Sequence, residues 1–143
     1  METSFSKRLA RRAAIVYRYY VPVLVWMGVI FLLSSQPTLG TSAETLSLGQ
    51  FLLRKGAHVF EYFVLGALLF RLFRFYFPQN SHMTAAGVVL FSLPFALSDE
   101  AHQLFVAGRQ GRVSDVGIDA IGIFLSLVFC LGVLPRWRRR KEG

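Results

Sequence analysis

Four stretches of mostly apolar residues, separated by short polar breaks, decide what this chain can become. They run roughly over residues 17–34, 54–77, 82–106 and 114–134. A helix needs about 20 predominantly apolar residues to cross the hydrocarbon core of a bilayer, and each stretch is of that order. With 54% hydrophobic residues in a chain of 143, an ordinary soluble domain is excluded. The expected fold is all-α: an integral membrane four-helix bundle with short loops, forming one domain over residues 1–143.

Local signals place the breaks. Pro22 falls in the first turns of the first span, where its missing N–H is tolerated, and Ser34-Ser35-Gln36-Pro37 ends that span. Thr41-x-x-Glu44 has the form of a capping box, followed by Leu46, Leu48, Phe51, Leu52 and Leu53 at helical spacing. This predicts a short interfacial helix between the first and second spans, interrupted or bent near Gly49 or Gly56. Pro78 closes the second span. Pro94 is expected to kink the third, one turn before Asp99, and Pro135 stops the fourth.

The net charge of +8 suggests nucleic acid until its distribution is considered. Ten of the sixteen Lys and Arg residues lie in the tails, at positions 7, 8, 11, 12 and 18 and at 136, 138, 139, 140 and 141. Basic tails flanking apolar spans are topology signals and contacts for anionic membrane lipid, so no nucleic-acid partner is expected. With both termini in the cytoplasm, twelve basic residues lie inside and four outside, namely Arg54, Lys55, Arg109 and Arg112. The positive-inside bias favours that orientation. The first span lacks a small-residue cleavage site and is read as an uncleaved helix. Cys130 is the only cysteine, so no disulfide forms within the chain and the oligomeric state is left open.

Polar residues interrupt this apolar plan at the junctions between spans. Lys55, His58, Glu61 and Tyr62 begin the second, Asp99, Glu100, His102 and Gln103 end the third, and Asp115 and Asp119 begin the fourth. Residues three or four apart share a helix face, so Lys55, His58 and Glu61 or Tyr62 can point together into the bundle, as can Asp99, His102 and Gln103, and Asp115, Asp119 and Gly122; Glu100 is harder to place. All belong to the outer half of the membrane in this orientation. At a rise of about 1.5 Å per residue, Glu61 and Asp119 lie roughly 6–9 Å deeper than Lys55 and Asp115. Ionisable groups at such depth are expensive and mark functional sites.

Several chemistries fit these residue types. Lys55, Arg109 and Arg112 can hold a phosphate or carboxylate, since a guanidinium meets either oxyanion in a fork; alternatively the two arginines only neutralise nearby acids. His58 and His102 can move protons, with Glu61 or Asp99 orienting the rings, or serve as hydrogen-bonded core residues. Either Glu61 or Glu100 can stay protonated in apolar surroundings. A divalent metal at His58, Glu61, Asp99 and His102 fits the bundle-core pattern of imidazole and carboxylate on facing helices. It is less favoured, because Lys55, Arg109 and Arg112 would crowd a dication, and no metal ligand is assigned. The candidate catalytic residues are therefore His58, Glu61, Asp99 and His102. Lys55, Tyr62, Glu100, Gln103, Arg109, Arg112, Asp115 and Asp119 are candidate ligand-binding residues. Ser34 and Ser35 are read as helix-end serines.

The motifs Lys55-x-x-His58-x-x-Glu61-Tyr62-x-x-x-Gly66, Asp99-Glu100-x-His102-Gln103-x-Phe105, Gly108-Arg109, Asp115, Asp119 and Gly122, together with Trp26 and Ser34-Ser35-Gln36-Pro37, resemble the VanZ-like family over about residues 20–130. Ala107 stands where many members have proline, and Asp119 where many have asparagine. The resemblance implies a protein of the bacterial cytoplasmic membrane, and a link to low-level resistance to the glycopeptide teicoplanin. It names a phenotype and no reaction. Two functions follow from the residues: a membrane-embedded hydrolase or transferase acting on an anionic lipid-linked or cell-wall headgroup, or a non-catalytic binder or transporter of a lipid-linked precursor or amphiphilic antibiotic. An assembly role that uses the polar core only for folding is the third.

Overall fold

The computed structural model describes residues 4–37, 48–109 and 111–133. The capping box at Thr41 and Glu44, the stop at Pro135 and the C-terminal basic cluster lie outside these residues.

The first span is longer than its apolar stretch. Helix α1 (Ser4–Ile15) passes through a π-helical turn, Val16–Tyr20, into α2 (Val21–Ser34). The basic residues at 7, 8, 11 and 12 therefore prolong the helix ahead of the membrane-length segment, since Lys and Arg are good helix formers. Pro22 sits in the first turn of α2, as expected. The helix ends where Ser35 folds its hydroxyl onto the Phe31 carbonyl at 2.6 Å and Pro37 disfavours further helix.

Helix α3 (Leu48–Tyr76) is continuous. The expected break near Gly49 or Gly56 is not found: residues 48–53 are the first turns of the same helix that carries the second span, Leu52–Tyr76. An interior glycine costs only about 1 kcal/mol relative to alanine, which the packed face further along the helix outweighs. Asn80 caps α4 (Ser81–Gln103) by accepting from the Met83 N–H at 3.0 Å. The helix then carries Pro94 without interruption. Residues 104–109 form a turn in which Gly108 takes a positive φ of 76°, a conformation that glycine adopts without penalty. Helix α5 (Val113–Val128) ends in a second π-helical turn, Phe129–Val133.

Among the described residues, four helices are long and apolar enough to cross a membrane: Phe5–Ser34, Leu52–Tyr76, Ser81–Gln103 and Ser114–Gly132. Many of their large apolar side chains, among them Leu24, Phe60, Leu90 and Phe124, point away from the bundle, as lipid permits. The chain is a multi-pass membrane protein.

Packing is closest between α3 and α5. Four pairings set their register: Lys55 with Asp115, His58 with Asp119, Tyr62 with Gly122 and Gly66 with Ser126. Both numbers rise together, so the two helices run parallel, offset by about sixty residues. At Gly122 the backbone of α5 approaches so closely that a Cβ would collide with the Val59 carbonyl oxygen, and at Gly66 one would collide with Ser126. Small residues at helical spacing create such contacts in membranes, where dispersion and hydrogen bonds drive association instead of the hydrophobic effect. The core beside this seam holds Tyr62, Leu65, Leu69, Val88, Ala96 and Ile123. Ser34 of α2 meets Asp99 of α4, giving an up-down-up-down bundle whose polar residues gather at one end.

Candidate functional site

The polar end is built in tiers. At the rim, Lys55 forms an ion pair with Asp115, whose same oxygen accepts from the Ser114 hydroxyl at 3.3 Å. Beside it Arg109 caps the end of α2: Nη2 donates to the Leu33 carbonyl at 2.8 Å and Nε to the Gln36 carbonyl at 3.2 Å. A cation there satisfies carbonyls that the helix end leaves open and meets the negative end of its dipole. Arg109 also reaches Gln103 Oε1 at 3.5 Å. Burial, and then the neighbouring Arg54 guanidinium, pull Arg109 below the usual arginine range. The rim thus brings two like charges close together.

One layer deeper, His58 Nδ1 lies 3.0 Å from Asp119 Oδ1. Glu100 reaches in from α4, its Oε2 accepting the backbone N–H of Arg112 at 2.9 Å. The preceding residue, Asp99, accepts at Oδ2 from the Ser34 hydroxyl at 2.7 Å and from Gln103 Nε2 at 3.1 Å. Potential metal-binding atoms of His58, Glu100 and Asp119 all lie within 4.8 Å of one another. Tyr62 lies below them, wholly buried. Glu61 is half-buried, within electrostatic reach of His58, Asp99 and Asp119.

Asp119 and Tyr62 are 0% exposed, Asp99 2% and Glu100 5%. Each has one oxygen with no hydrogen-bond partner among the described residues: Asp119 Oδ2, Tyr62 Oη, Asp99 Oδ1 and Glu100 Oε1. Buried polar atoms are nearly always paired. Four such atoms drawn from three helices at one end of the bundle are a concentration of unmet hydrogen-bonding.

His58, Asp99, Glu100, Gln103, Asp115, Asp119, Lys55, Tyr62 and Arg109 all come to this end of the bundle. The partnerships differ from those expected within single helices. The carboxylate bonded to His58 is Asp119, and neither Glu61 nor Asp99. His102 turns aside from its helix neighbour Asp99. Its ring stacks on Phe31 with centroids 4.2 Å apart, and Nε2 meets the Ser35 hydroxyl at 3.0 Å. Since Ser35 spends its one proton on the Phe31 carbonyl, Nε2–H of His102 is the donor in that pair. His58, Glu61, Asp99 and His102 therefore do not form one group; among the described residues the imidazole–carboxylate cluster is His58, Glu100 and Asp119. The Arg112 side chain is exposed.

Three participants were not anticipated. Ser34 is a buried donor to Asp99, Arg54 stands beside Arg109, and Trp26 Nε1 donates to the Glu61 carbonyl at 2.9 Å. For Ser34 and Arg54 the level in the membrane was available, since the end of the first span and the start of the second lie beside Asp99; Trp26 lies further inside its span.

A model of the VanZ/LLP1 family matches residues 19–134, a region that includes every residue of this cluster. No curated protein and no solved structure matches the chain.

Proposed function

The chain belongs to the VanZ/LLP1 family of membrane proteins, and from that premise we propose that its polar end binds an anionic lipid-linked or cell-wall headgroup at the outer face of the bacterial cytoplasmic membrane. Both termini are then cytoplasmic, in keeping with the excess of basic residues in the tails. The rim cations Arg54, Lys55 and Arg109, with Arg112 beside them, receive the phosphate or carboxylate, while the acceptors beneath take hydroxyl, amide or ammonium donors of the same headgroup. The observation that carries this reading is the set of four buried oxygens without partners, contributed by three helices. A polar core kept only for folding specificity would satisfy its own groups.

The His58–Asp119 pair supports processing as well as binding. An imidazole held by a carboxylate has the arrangement of a general base or acid, so a membrane-embedded hydrolase or transferase is the active form of the proposal. The alternative is a binder or transporter of a lipid-linked precursor or amphiphilic antibiotic. It is favoured by the side-chain commitments at the rim, where Lys55 already pairs with Asp115 and Arg109 already caps α2. Either form accounts for a link to glycopeptide resistance, because both act on envelope precursors that a glycopeptide would sequester.

The test is retention of a polyprenyl pyrophosphate by the full chain in nanodiscs, compared with the Glu100→Gln/Asp119→Asn double variant. Saturable retention that the double variant loses is expected, and equal retention by both proteins contradicts the proposal. In the enzyme form the parent chain converts the retained ligand to product and His58→Asn forms none; in the binder form no product appears with the parent chain.

A further inference from the structure

We propose that His58, Glu100 and Asp119 bind a divalent transition-metal ion, one Zn2+-class ion per chain. This deepens the reading of the polar end as a binding site and rests on it. Glu100 is held by one oxygen and left with the other, its Oε2 fixed by the backbone N–H of Arg112, while His58 Nδ1 and Asp119 Oδ1 face each other at 3.0 Å across a proton that an ion would replace. The remaining oxygens, Glu100 Oε1 and Asp119 Oδ2, are buried and unpartnered among the described residues. A carboxylate anchored from outside, as Glu100 is by Arg112, beside an imidazole and a second carboxylate is what metal sites use, since outer partners fix the direction of the ligands.

The distances suit such an ion. Candidate donor atoms of the three residues lie within 4.8 Å of one another. Zinc bonds of about 2.0–2.2 Å place tetrahedral ligands on the order of 3.5 Å apart. A closing movement of about 1 Å at side-chain tips completes the site, well within rotamer adjustment. Three protein ligands leave a coordination position open, and a phosphate or carboxylate oxygen of the headgroup is the natural fourth ligand. The ring nitrogen argues against Mg2+ and Ca2+, which prefer oxygen alone.

The balance of charge points the same way. Glu61, Asp99, Glu100 and Asp119 lie in or beside the cluster, whereas two of the nearby cations make their hydrogen bonds outside it and Arg112 is exposed. Lys55 pairs with Asp115 at the rim, and Arg109 is directed to the carbonyls of Leu33 and Gln36. A dication with two carboxylates and a neutral imidazole forms a neutral unit, which a low-dielectric site accommodates far better than a surplus of anions. On uptake, the proton between His58 Nδ1 and Asp119 Oδ1 leaves to solvent.

The experiment uses the full chain in detergent, stripped with chelator, then loaded separately with Zn2+ and Co2+. One Zn2+ per chain after dialysis is expected, with Co2+ giving the visible absorption of a low-coordinate site. His58→Gln, Glu100→Gln and Asp119→Asn each lower affinity by on the order of 100-fold. Cys130→Ser and His82→Gln, at the opposite end of the bundle, retain the ion. If the parent chain takes up no ion and shows no Co2+ absorption, the proposal fails whatever the variants do. Uptake undiminished in all three ligand variants overturns it equally. Headgroup retention is measured in parallel on the stripped chain: retention without metal uptake removes this inference alone, whereas metal uptake without headgroup retention removes the headgroup reading.

Discussion

His58 on α3 and Asp119 on α5 meet at 3.0 Å across two parallel helices, one turn below the ion pair of Lys55 and Asp115. The bond is buried, and it couples the register of the closest helix pair to the chemistry of the polar end. Removing one partner leaves the other without compensation. Asp119→Ala should destabilise the chain by about 2–4 kcal/mol, and the His58→Ala/Asp119→Ala double variant should lose less than the sum of the single losses. Reversible unfolding in mixed SDS micelles measures both; additive losses would show that the two residues do not interact.

The seam below that pair predicts two different glycine responses. Gly66→Ala places its methyl group against Ser126, so Ser126→Ala should restore much of the loss. Gly122→Ala meets the carbonyl oxygen of Val59, part of the α3 backbone, and no side-chain change relieves it. Each single variant should lose about 1–3 kcal/mol. Thermal melts in detergent distinguish the two; rescue of Gly122→Ala by Ser126→Ala would mean that the register is wrong.

Arg109 predicts that shape matters more than charge. Its fork reaches two carbonyls at the end of α2 and the Gln103 side chain. Arg109→Lys keeps the charge and loses the fork. It should lower stability by about 1–2 kcal/mol, close to the effect of Arg109→Gln. Chemical denaturation of both variants checks this, and parent-like stability of the lysine variant would contradict it.

The two histidines should separate functionally. His58 belongs to the buried cluster, whereas His102 stacks on Phe31 and bonds Ser35. In the metal-loaded chain, His58→Asn should weaken polyprenyl pyrophosphate retention by about tenfold or more, equivalent to about 1.4 kcal/mol, while His102→Gln changes it less than threefold. A larger effect from His102→Gln would move the centre of the site to the α2–α4 side.

Much of this arrangement was legible from chain order. The spans follow from apolar length, and the gathering of Lys55, Asp99 and Asp115 at one end follows from alternating direction. Partner choice did not follow. Helical spacing put Glu61 on the face of His58, but residues on one face need not bond each other, and Asp119 takes that role because α3 and α5 are offset by about sixty residues. That offset is set by Gly122 and Gly66, whose missing side chains fix how far one helix slides along the other. The expected break at Gly56 failed for a related reason: a glycine weakens a helix locally, yet α3 is held by packing along its later turns. His102 was placed with Asp99 by spacing alone, and the aromatic face of Phe31 on a neighbouring helix draws it away.

The account stands most directly on where the polar end faces. In a Cys130→Ser background, a single cysteine at Asp115, beside Lys55, is compared with one at Ser81, at the opposite end of the bundle, using a membrane-impermeant maleimide on intact cells. Labelling of Asp115→Cys from outside, with Ser81→Cys labelled only after permeabilisation, is the predicted result. The reverse pattern would put the carboxylate cluster on the cytoplasmic side and contradict the proposed headgroup site at the outer face.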